Sequence, residues 1–450
     1  MSLDFLLAKL AASPDQEAIV SSQFHATYKD LQDRYQHFRQ WLDAQQIPPY
    51  AVVSFDGDYS PDAIALFLAL ASRNNICVPL SLDSKNHFNE FRDIGMTEYD
   101  ISLTSDAPAL TATGRTADHP LYAELKHKQS PGLVLFSSGS TGKSKAIVQD
   151  LGKLLSKFRT PRKALRMLIF LQLDHIGGVN SLFYALANNG TVIVADNRDP
   201  VSVCRAIETF QAELLPTSPT FLNLLLLSRA HQDFRLDSLK LITYGTEPMQ
   251  PSTLERINQL FPQATLQQTY GLSEVGILRS KSRAPDSLWI KVGGEAFTTK
   301  IVEGTLWIKS ESAMLGYLNA PNPFDDEGFL NTGDKVEQDG EWLRILGRES
   351  DIINVGGQKV YPAEVESVLL EMDCVEDVVV FGQDHPITGK IVATKVLLNS
   401  PLSLREFKAQ ALTFCNSRLQ SYKIPSKFYL SDEATYNARF KRMRRLEVNQ

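Results

Sequence analysis

The stretch LVLFSSGSTGKSKA, residues 133–146, decides how the rest of the chain is interpreted. Its first four residues are apolar and predict a short buried strand. The loop that follows offers small hydroxyl side chains, glycines that let a ligand approach the backbone, and the ammonium groups of Lys143 and Lys145. Exposed backbone N–H groups, short O–H donors and positive charge are what a polyphosphate needs. A serine- and glycine-rich surface turn is the alternative interpretation of this loop taken alone.

The loop does not match the Walker A motif, G-x-x-x-x-G-K-[ST]. Gly142, Lys143 and Ser144 supply the end of that motif, but Ser137 stands where its first glycine is required. A phosphate-binding loop of a different type therefore fits the stretch better.

Composition predicts an ordinary globular protein. The chain has 450 residues, 43% of them hydrophobic and 22% charged, which allows a large core and about three domain-sized units. A net charge of −6 argues against nucleic acid as the main partner. The four cysteines are scattered, without metal-ligand spacing, which suits reduced thiols in the cytoplasm. The start of the chain lacks the basic segment of a signal peptide, and the longest apolar run, residues 63–71, is shorter than the roughly 20 residues of a membrane span.

Apolar runs alternate with helical patterns along most of the chain, which points to parallel sheets. Ligands bind such sheets at the carboxyl ends of their strands, and the phosphate loop and residues 174–178 and 245–248 all follow predicted strands. The last hundred residues predict a small α+β unit. Strands are expected at 76–80, 168–173, 191–195, 239–244, 375–382, 392–398 and 428–430, and helices at 222–227, 362–372 and 404–419.

Three further sites carry residues suited to nucleotide chemistry. In YGLSE, residues 270–274, Tyr270 can pack along a nucleotide or acyl group, Gly271 lets the backbone approach it, and Glu274 can hold Mg²⁺ against phosphates. Asp334, after a Thr-Gly pair, can accept from two hydroxyl groups such as the vicinal pair of ribose, although an aspartate in a hairpin turn is the alternative. His175 lies at a predicted strand end before two glycines, where a ligand could approach, although a lone histidine is more often structural.

These motifs, in this order, resemble those of the adenylate-forming superfamily: acyl-CoA synthetases, aryl acid ligases and stand-alone adenylation domains. The phosphate loop resembles [ST]-S-G-[ST]-T-G-x-P-K-G, with Ser144 for the proline and Ala146 for the last glycine. Residues 245–248 resemble the adenine-pocket loop, 332–334 the ribose-binding T-G-D, and 347–351 the hinge motif G-R-x-D-D. The resemblance runs from about residue 27 to residue 445.

The resemblance implies an α/β fold with a large N-terminal AMP-binding domain, residues 1–347, of parallel βα sheets plus a distorted β-barrel. A hinge at 348–351 and a small mobile α+β C-terminal domain, 352–450, follow. Ser350 replaces the usual hinge Asp or Lys, and Phe440 replaces the glycine that usually precedes the catalytic lysine.

The resemblance also assigns roles to single residues. Lys441, placed by its distance from Pro425, and His175 are the expected catalytic residues, and Glu274 is the expected Mg²⁺ ligand. Gly356 and Gly357 form a turn expected to line the thiol tunnel. The residues expected to bind ATP or the thiol cofactor are Ser137, Ser138, Gly139, Ser140, Thr141, Gly142, Lys145, Gly245, Thr246, Glu247, Thr269, Tyr270, Gly271, Ser273, Asp334, Arg348, Gly356 and Gly357.

The implied reaction is ATP-dependent activation of a carboxylic acid to an acyl-adenylate, followed by transfer to the thiol of CoA. The alternative acceptor is the pantetheine of a carrier protein. Ile176 stands where amino-acid-activating members carry an acidic residue, so we expect an acid without an α-amino group, because an apolar side chain cannot neutralise a buried ammonium. Gly177 and Gly178 are expected to leave room for a ring or an alkyl chain. The expected pocket is lined by residues 175–180, 221, 244–247 and 268–277.

Two hypotheses from other classes remain open at this point. A phosphotransferase would release ADP rather than pyrophosphate. A non-catalytic nucleotide-binding protein would not need Glu274, Asp334 and Lys441 together, and their joint presence argues against it.

Overall fold

The computed structural model of this chain describes residues 3–104, 107–138, 144–294, 296–386 and 388–431, and of Ser138 the backbone alone. The α-helices are α1 (Asp4–Ala12), α2 (Tyr28–Ala44), α3 (Pro61–Ser72), α4 (Phe88–Ile94), α5 (Pro120–Lys128), α6 (Leu151–Ser156), α7 (Ile176–Ala187), α8 (Pro200–Phe210), α9 (Pro219–Ser228), α10 (Pro251–Leu260), α11 (Pro362–Leu369) and α12 (Leu404–Asn416).

The strands fall into four sheets. Their bounds are β1 (Glu17–Val20), β2 (His25–Thr27), β3 (Val52–Asp56), β4 (Ile76–Leu80), β5 (Tyr99–Ser102), β6 (Ala109–Ala112), β7 (Gly132–Ser138), β8 (Ser144–Asp150), β9 (Arg166–Leu168), β10 (Thr191–Ile193), β11 (Leu214–Thr217), β12 (Leu241–Tyr244), β13 (Thr265–Gln268), β14 (Tyr270–Leu272), β15 (Gly276–Ser282), β16 (Trp289–Gly293), β17 (Phe297–Val302), β18 (Thr305–Ser310), β19 (Gly316–Tyr317), β20 (Leu330–Asp339), β21 (Trp342–Arg348), β22 (Ile353–Val355), β23 (Gln358–Val360), β24 (Val375–His385), β25 (Gly389–Leu398) and β26 (Lys427–Leu430).

The first sheet has the strand order β13-β12-β11-β9-β10-β1-β2, and all its pairs are parallel except β1 with β2. Helices α7 to α10 connect its parallel strands, as the alternation of apolar runs predicts. Consequently the turns after β12 and β13 lie side by side at one edge of the sheet. This edge holds the 245–248 loop and the start of the 270–274 motif.

The second sheet, in the order β19-β8-β7-β4-β3-β5-β6, carries the phosphate loop between β7 and β8. These two strands are antiparallel, with Ser137 opposite Lys145. A Walker A loop opens a helix whose N-terminus binds the phosphate, whereas this loop joins two strands. The rejection of the Walker A motif is therefore confirmed by the local topology.

The remaining strands form an antiparallel third sheet and a C-terminal fourth sheet. The third, β14-β15-β16-β21-β20-β18-β17, is antiparallel throughout and lies in the part of the chain where a distorted β-barrel is expected. The fourth consists of β22 to β26, flanked by α11 and α12. In the described residues each of the first three sheets ends at or before Arg348, and the fourth begins at Ile353.

Most predicted elements are present; β10, β12, α11 and α12 are shorter than predicted, whereas β24, β25 and α9 are longer. The strand expected at residues 168–173 is wrong in extent, because β9 ends at Leu168. Ile169 N still donates to Ile193 O, but beyond it the chain leaves the sheet. Side chains hold it there: the Tyr59 hydroxyl donates to Leu171 O at 2.9 Å, and the Gln172 amide donates to Ser81 Oγ at 2.6 Å.

All four cysteines are free thiols, and three of them are buried, as their scattered spacing predicts. A search of the described residues finds no helix with the length and apolarity that crossing a membrane requires.

A chain of aromatic rings packs the core between the first two sheets. Phe67 of α3 lies between Phe55 of β3 and Phe183 of α7, with ring centroids 5.7 Å and 5.4 Å away. All three rings are fully buried, so a cavity at Phe67 would loosen the contact between helices that belong to different sheets.

We expect Phe67→Ala to lower the free energy of unfolding by about 3–5 kcal/mol, because the lost ring leaves a cavity bordered by two other rings. Phe67→Leu should cost less. Denaturant unfolding followed by circular dichroism measures both. Val201→Ala, at a side chain that is 42% exposed, is the control and should change stability by less than about 0.5 kcal/mol. Equal effects of Phe67→Ala and the control would contradict the packing described here.

Candidate active site

The strand that follows the phosphate loop, β8, is held at its start by a single asparagine. Asn319 Oδ1 accepts from Ala146 N at 3.0 Å, and its Nδ2 donates to Ser144 O at 2.8 Å. Gly139, Ser140, Thr141 and Gly142 lie outside the described residues, as does the side chain of Ser138. The loop thus starts and ends at positions that the sheet and Asn319 determine.

Lys145 and Glu274 meet at one aromatic side chain, Tyr317. The Lys145 ammonium lies 5.1 Å from the centroid of the Tyr317 ring, and the Tyr317 hydroxyl donates to Glu274 Oε1 at 2.7 Å. Burial and the neighbouring Glu274 raise the pKa of Tyr317, so its hydroxyl stays a donor at neutral pH. One residue therefore orients both a predicted phosphate-binding cation and the predicted metal ligand.

Asp334 is a buried carboxylate held from two sides. The Tyr270 hydroxyl donates to its Oδ2 at 2.5 Å, and Arg348 Nε lies 3.4 Å from its Oδ1. Asp334 lies within strand β20, so the alternative of an aspartate in a hairpin turn is wrong. Thr332 shapes the local chain by donating to Leu306 O and accepting from Asp334 N.

The residues around Tyr317 and those around Asp334 form one electrostatic cluster. Burial raises the pKa of Asp334, Arg348 opposes that rise, and the charges of Asp351 and Glu274 add to it. These mutual effects require that the carboxylates and the guanidinium lie close together. Of the residues that the sequence singles out, the structure unites Lys145, Tyr270, Glu274, Asp334 and Arg348.

The loop after β12 approaches the segment that leads into β14. A Cβ at Gly245 would lie 2.5 Å from Thr269 Oγ1, so only glycine fits there. Thr269 N donates to Tyr244 O at 2.7 Å and joins the two segments. Thr246 has a φ of 74°, in the left-handed region that costs a β-branched residue free energy. Such strain is typical of functional loops.

Glu247 and His175 each have a structural contact beside their predicted role. Glu247 Oε1 accepts from Thr220 N at 2.8 Å in the first turn of α9. His175 Nδ1 accepts from Gly177 N at 3.1 Å and caps α7. Both are thus fixed by helix N-termini, and their roles at the nucleotide and the substrate carboxylate stay predictions.

The expectation that Gly177 and Gly178 leave open space is wrong. A Cβ at Gly178 would lie 1.8 Å from Gln172 O, and one at Gly177 would lie 2.5 Å from Leu171 Cδ1. Protein atoms fill the space beside both glycines. Their small size lets α7 pack against the segment that follows β9, rather than making room for a substrate.

Close packing also explains why residue 271 is a glycine. A Cβ there would lie 2.7 Å from Gly276 O, across the hairpin of β14 and β15. The backbone of Ser273 joins the hairpin to β8, because its carbonyl oxygen accepts from the side-chain amide of Gln149. The tight hairpin carries Glu274 at its turn, between the two strands.

Gly356 and Gly357 form the turn between β22 and β23. Both have positive φ values, 56° and 87°, and nothing lies within 4 Å of a Cβ built on either, so the backbone conformation rather than crowding favours glycine. Asn354 Oδ1 accepts from Gly357 N at 2.9 Å. Lys441 lies outside the described residues.

The sequence motifs gave no role in the site to Tyr317 or Asn319, and none to Thr332 beyond its place in the T-G-D motif. Tyr317 and its partner Glu274 are 43 residues apart in the chain. Only the pairing of β19 with β8, which places Tyr317 opposite Ile147, brings it beside the phosphate hairpin.

A cavity of about 490 Å³ adjoins β9 and β10 but does not suit a nucleotide. Its lining includes the carboxylates of Asp58, Asp83, Asp196 and Asp199 and the guanidinium of Arg198. Arg198 already pairs with Asp83. Four carboxylates against one guanidinium give this cavity a larger excess of negative charge than the cluster around Asp334 and Glu274, where Lys145 and Arg348 lie with three carboxylates. That cluster is therefore the better nucleotide site.

Comparison with known proteins identifies the family of the chain. The family model "AMP-binding enzyme" matches residues 86–318, and the model "AMP-binding enzyme C-terminal domain" matches residues 364–441. A 2-succinylbenzoate–CoA ligase of Bacillus licheniformis is 30% identical over 349 residues, which cover 71% of this chain and 70% of the relative. A putative long chain fatty acid–CoA ligase of Staphylococcus epidermidis is 24% identical over 96% of this chain and 95% of its own.

Solved structures share the fold. The anthranilate CoA ligase AuaEII with anthranoyl-AMP aligns with a TM-score of 0.81 at 16% identity, covering 98% of this chain and 95% of its own. The o-succinylbenzoate CoA synthetase MenE from Bacillus subtilis with its acyl-adenylate intermediate aligns with a TM-score of 0.78 at 21% identity, covering 98% and 97%. The expected α/β fold with a smaller C-terminal unit is thereby confirmed. The chain belongs to the AMP-binding enzyme family, the adenylate-forming superfamily that its motifs resemble.

Proposed function

We propose that this protein is an AMP-forming acid–thiol ligase that activates a carboxylic acid with ATP and transfers the acyl group to CoA. The observation that carries the proposal is the single cluster in which Lys145, Glu274, Asp334 and Arg348 meet beside the phosphate hairpin. The CoA ligases among its relatives favour CoA as the acceptor. Loading of a carrier-protein pantetheine has no comparable support.

In the first half-reaction, a carboxylate oxygen attacks the α-phosphorus of ATP and pyrophosphate leaves. Residues Ser137 to Thr141 and Lys145 hold the leaving phosphates, and Asp334 with Arg348 fixes the ribose hydroxyls. Lys441 orients the carboxylate against the α-phosphate and offsets the growing negative charge. Such catalysis relies on positioning and charge stabilisation rather than on covalent help from the protein.

Glu274 suits a Mg²⁺ ion that arrives with ATP. Its Oε1 is oriented by Tyr317, and the described residues offer no hydrogen-bond donor to its Oε2. The described part of the chain has no group of three or more potential metal ligands, and Mg²⁺ ordinarily takes one or two carboxylates plus phosphate oxygens. A bound Mg²⁺ would neutralise phosphate charge.

The second half-reaction needs a different arrangement of the C-terminal unit. Residues 348–351 act as the hinge between domains 1–347 and 352–450. Rotation there withdraws Lys441 and brings the Gly356–Gly357 turn to the acyl-adenylate. The 3-10 turn Glu349–Asp351, between the third and fourth sheets, is a short connection suited to such a movement.

The acid lacks an α-amino group. Ile176, where an acidic partner for an ammonium would lie, is 4% exposed and belongs to the hydrophobic core. The 2-succinylbenzoate of the relatives is the first acid to test, followed by aryl and fatty acids. Four free cysteines suit the cytoplasm as the compartment.

The test is pyrophosphate release from ATP and Mg²⁺ with a panel of aryl, fatty and amino acids, with and without CoA. We expect release with an aryl or fatty acid, and CoA should increase the turnover with formation of AMP. Release that CoA leaves unchanged would favour a carrier protein. ADP in place of pyrophosphate would contradict adenylation.

Lys441→Ala should reduce acyl-adenylate formation at least 100-fold, about the contribution of a charge-stabilising group, and a normal rate would remove Lys441 from the mechanism.

Asp334→Asn tests the ribose site. We expect the KM for ATP to rise about 10-fold, because a hydrogen bond to a charged group contributes about 1.5–3 kcal/mol. With 2′,3′-dideoxy-ATP the wild type and the variant should differ much less, because the hydroxyl groups are gone. Steady-state pyrophosphate release measures both. Asp339→Asn, on the exposed end of the same strand, is the control. An equal loss with both nucleotides would indicate a structural role only.

Tyr317→Phe tests the orientation of Glu274. The variant keeps the ring beside Lys145 but loses the hydroxyl that donates to the carboxylate. Removing an outer partner of a metal ligand typically weakens metal affinity by about 10- to 100-fold, so the Mg²⁺ concentration for half-maximal activity should rise by at least about 10-fold. Tyr122→Phe, which loses a buried hydrogen bond to Gly95 O, is the matched control. An unchanged Mg²⁺ dependence would argue against Glu274 as the ligand.

A further inference from the structure

Two ion pairs hold the chain where it leaves β21 for the hinge. Arg348, the last residue of β21, lies opposite Asp334 of β20, and its Nε lies 3.4 Å from Asp334 Oδ1. The next residue, Glu349, pairs with Lys335, the next residue of β20, at 2.8 Å between Oε1 and Nζ. Asp334 and Lys335 are consecutive in a strand, so their side chains point to opposite faces of the sheet. The same point of the chain is therefore held from both faces.

Lys335 is a buried lysine whose three N–H donors all have acceptors. It is 8% exposed, and besides Glu349 its ammonium donates to Glu303 O at 3.1 Å and to Thr305 Oγ1 at 2.7 Å. Both acceptors belong to the connection between β17 and β18. Among the described residues, Glu349 is the carboxylate that forms an ion pair with it. Because a buried ammonium without a counter-charge is costly, Lys335 ties Glu349 to the interior of the sheet.

Arg348 is held less firmly by its own contact. Its side chain is 56% exposed, and the 3.4 Å from its Nε to Asp334 Oδ1 is long for a charged hydrogen bond. An exposed pair of this kind contributes little to stability. The position of Arg348 on the carboxylate therefore depends on the backbone around it. The pairing of β20 with β21 fixes the backbone before Arg348, and the pair of Lys335 with Glu349 fixes the backbone after it.

We propose that Lys335 is a positioning residue that keeps Arg348 at the ribose while the C-terminal unit rotates. The inference rests on the proposed function, in which residues 348–351 are the hinge. Because Arg348 and Glu349 are both tied to β20, the rotation begins after them, at Ser350. The ribose site then stays intact, and the acyl-adenylate stays bound between the two half-reactions.

Ser350 suits this place in the hinge. It is exposed, and its hydroxyl donates to Asp351 Oδ1 at 3.1 Å, a bond within the hinge itself. A small residue in a short connection can absorb a change of backbone angles. The ion pair before it and the free surface around it thus separate a fixed part of the hinge from a part that can turn.

The ratio of pyrophosphate to acyl-CoA tests whether the acyl-adenylate stays bound. With ATP, CoA and 2-succinylbenzoate, or the acid of the panel that reacts fastest, the wild type should form one acyl-CoA for each pyrophosphate. Glu349→Gln removes the charge that pairs with Lys335 and keeps the size of the side chain. We then expect Arg348 to leave the ribose during rotation, so that part of the acyl-adenylate dissociates and hydrolyses to the acid and AMP. The ratio should rise to about 2 or more, because losing a hydrogen bond between charged groups weakens binding roughly 10-fold.

An exposed ion pair on the same two strands provides the matched control. Glu337 pairs with Arg344 at 3.5 Å, and both side chains are largely exposed, so Glu337→Gln should keep the wild-type ratio. Lys335→Met should act like Glu349→Gln, and the double variant should be no worse than either single variant, because the two residues act as a pair. A variant that only loosens the fold would lower pyrophosphate and acyl-CoA alike and leave their ratio unchanged.

Binding of AMP gives a measurement that needs no turnover. In titration calorimetry, Glu349→Gln should bind AMP about 10-fold more weakly than the wild type, the effect of a hydrogen bond to a charged group. With 2′,3′-dideoxy-AMP the two proteins should differ much less, because the hydroxyl groups that Asp334 and Arg348 would bind are gone.

The outcomes distinguish this inference from the proposed function. An unchanged ratio of pyrophosphate to acyl-CoA in Glu349→Gln, or an unchanged affinity for AMP, would overturn the role of Lys335 and leave the ligase reaction standing. If no acid supports pyrophosphate release, the proposed function fails. AMP binding would then still decide whether the pair of Lys335 with Glu349 holds the ribose site.

Discussion

The buried hydrogen bond from Tyr270 to Asp334 is the interaction on which the site depends. It joins β14, the first strand after the parallel sheet, to β20 in the middle of the antiparallel sheet. A hydrogen bond to a carboxylate contributes about 1.5–3 kcal/mol when its partners are already in place. Burial and the adjacent Asp334 raise the pKa of Tyr270, so the phenol remains the donor. With this bond fixed, Glu274 at the hairpin turn and Arg348 at the end of β21 come to the same place.

The charges of this cluster explain why it needs partners from elsewhere. The carboxylates of Asp334, Glu274 and Asp351 outnumber the cations Lys145 and Arg348 that lie with them. A polyphosphate added to such a group meets net repulsion unless further positive charge arrives. A metal ion at Glu274 and a lysine from the C-terminal segment supply that charge in the proposed mechanism. In the proposed mechanism, rotation of the C-terminal unit withdraws that lysine, and its positive charge, after pyrophosphate has left.

Much of this arrangement could be predicted from the sequence, because the chemistry is concentrated in short motifs at strand ends. The phosphate hairpin, Glu274 and Asp334 each stand out by residue type and spacing, and the alternation of strands and helices predicts that the phosphate loop and residues 174–178 and 245–248 lie at the carboxyl ends of strands. The contacts that orient them could not be predicted in this way. Tyr317 and Glu274 are brought together by the pairing of β19 with β8, which no local pattern encodes. The glycines show the opposite error: Gly177, Gly178 and Gly271 suggest room for a ligand, but each is required by the close approach of neighbouring backbone or side chains.

One hairpin connects two parts of the proposed site. Tyr270 at its start contacts Asp334, Glu274 occupies its turn, and Ile277 on its second strand lies opposite Gly271 and accepts from Lys157. The backbone hydrogen bonds of so short a hairpin allow little change in the distances between these residues. In the proposed reaction, the hairpin therefore sets the distance between the ribose at Asp334 and the metal ion that Glu274 would hold. This distance determines where the α-phosphorus of ATP lies when the carboxylate attacks it.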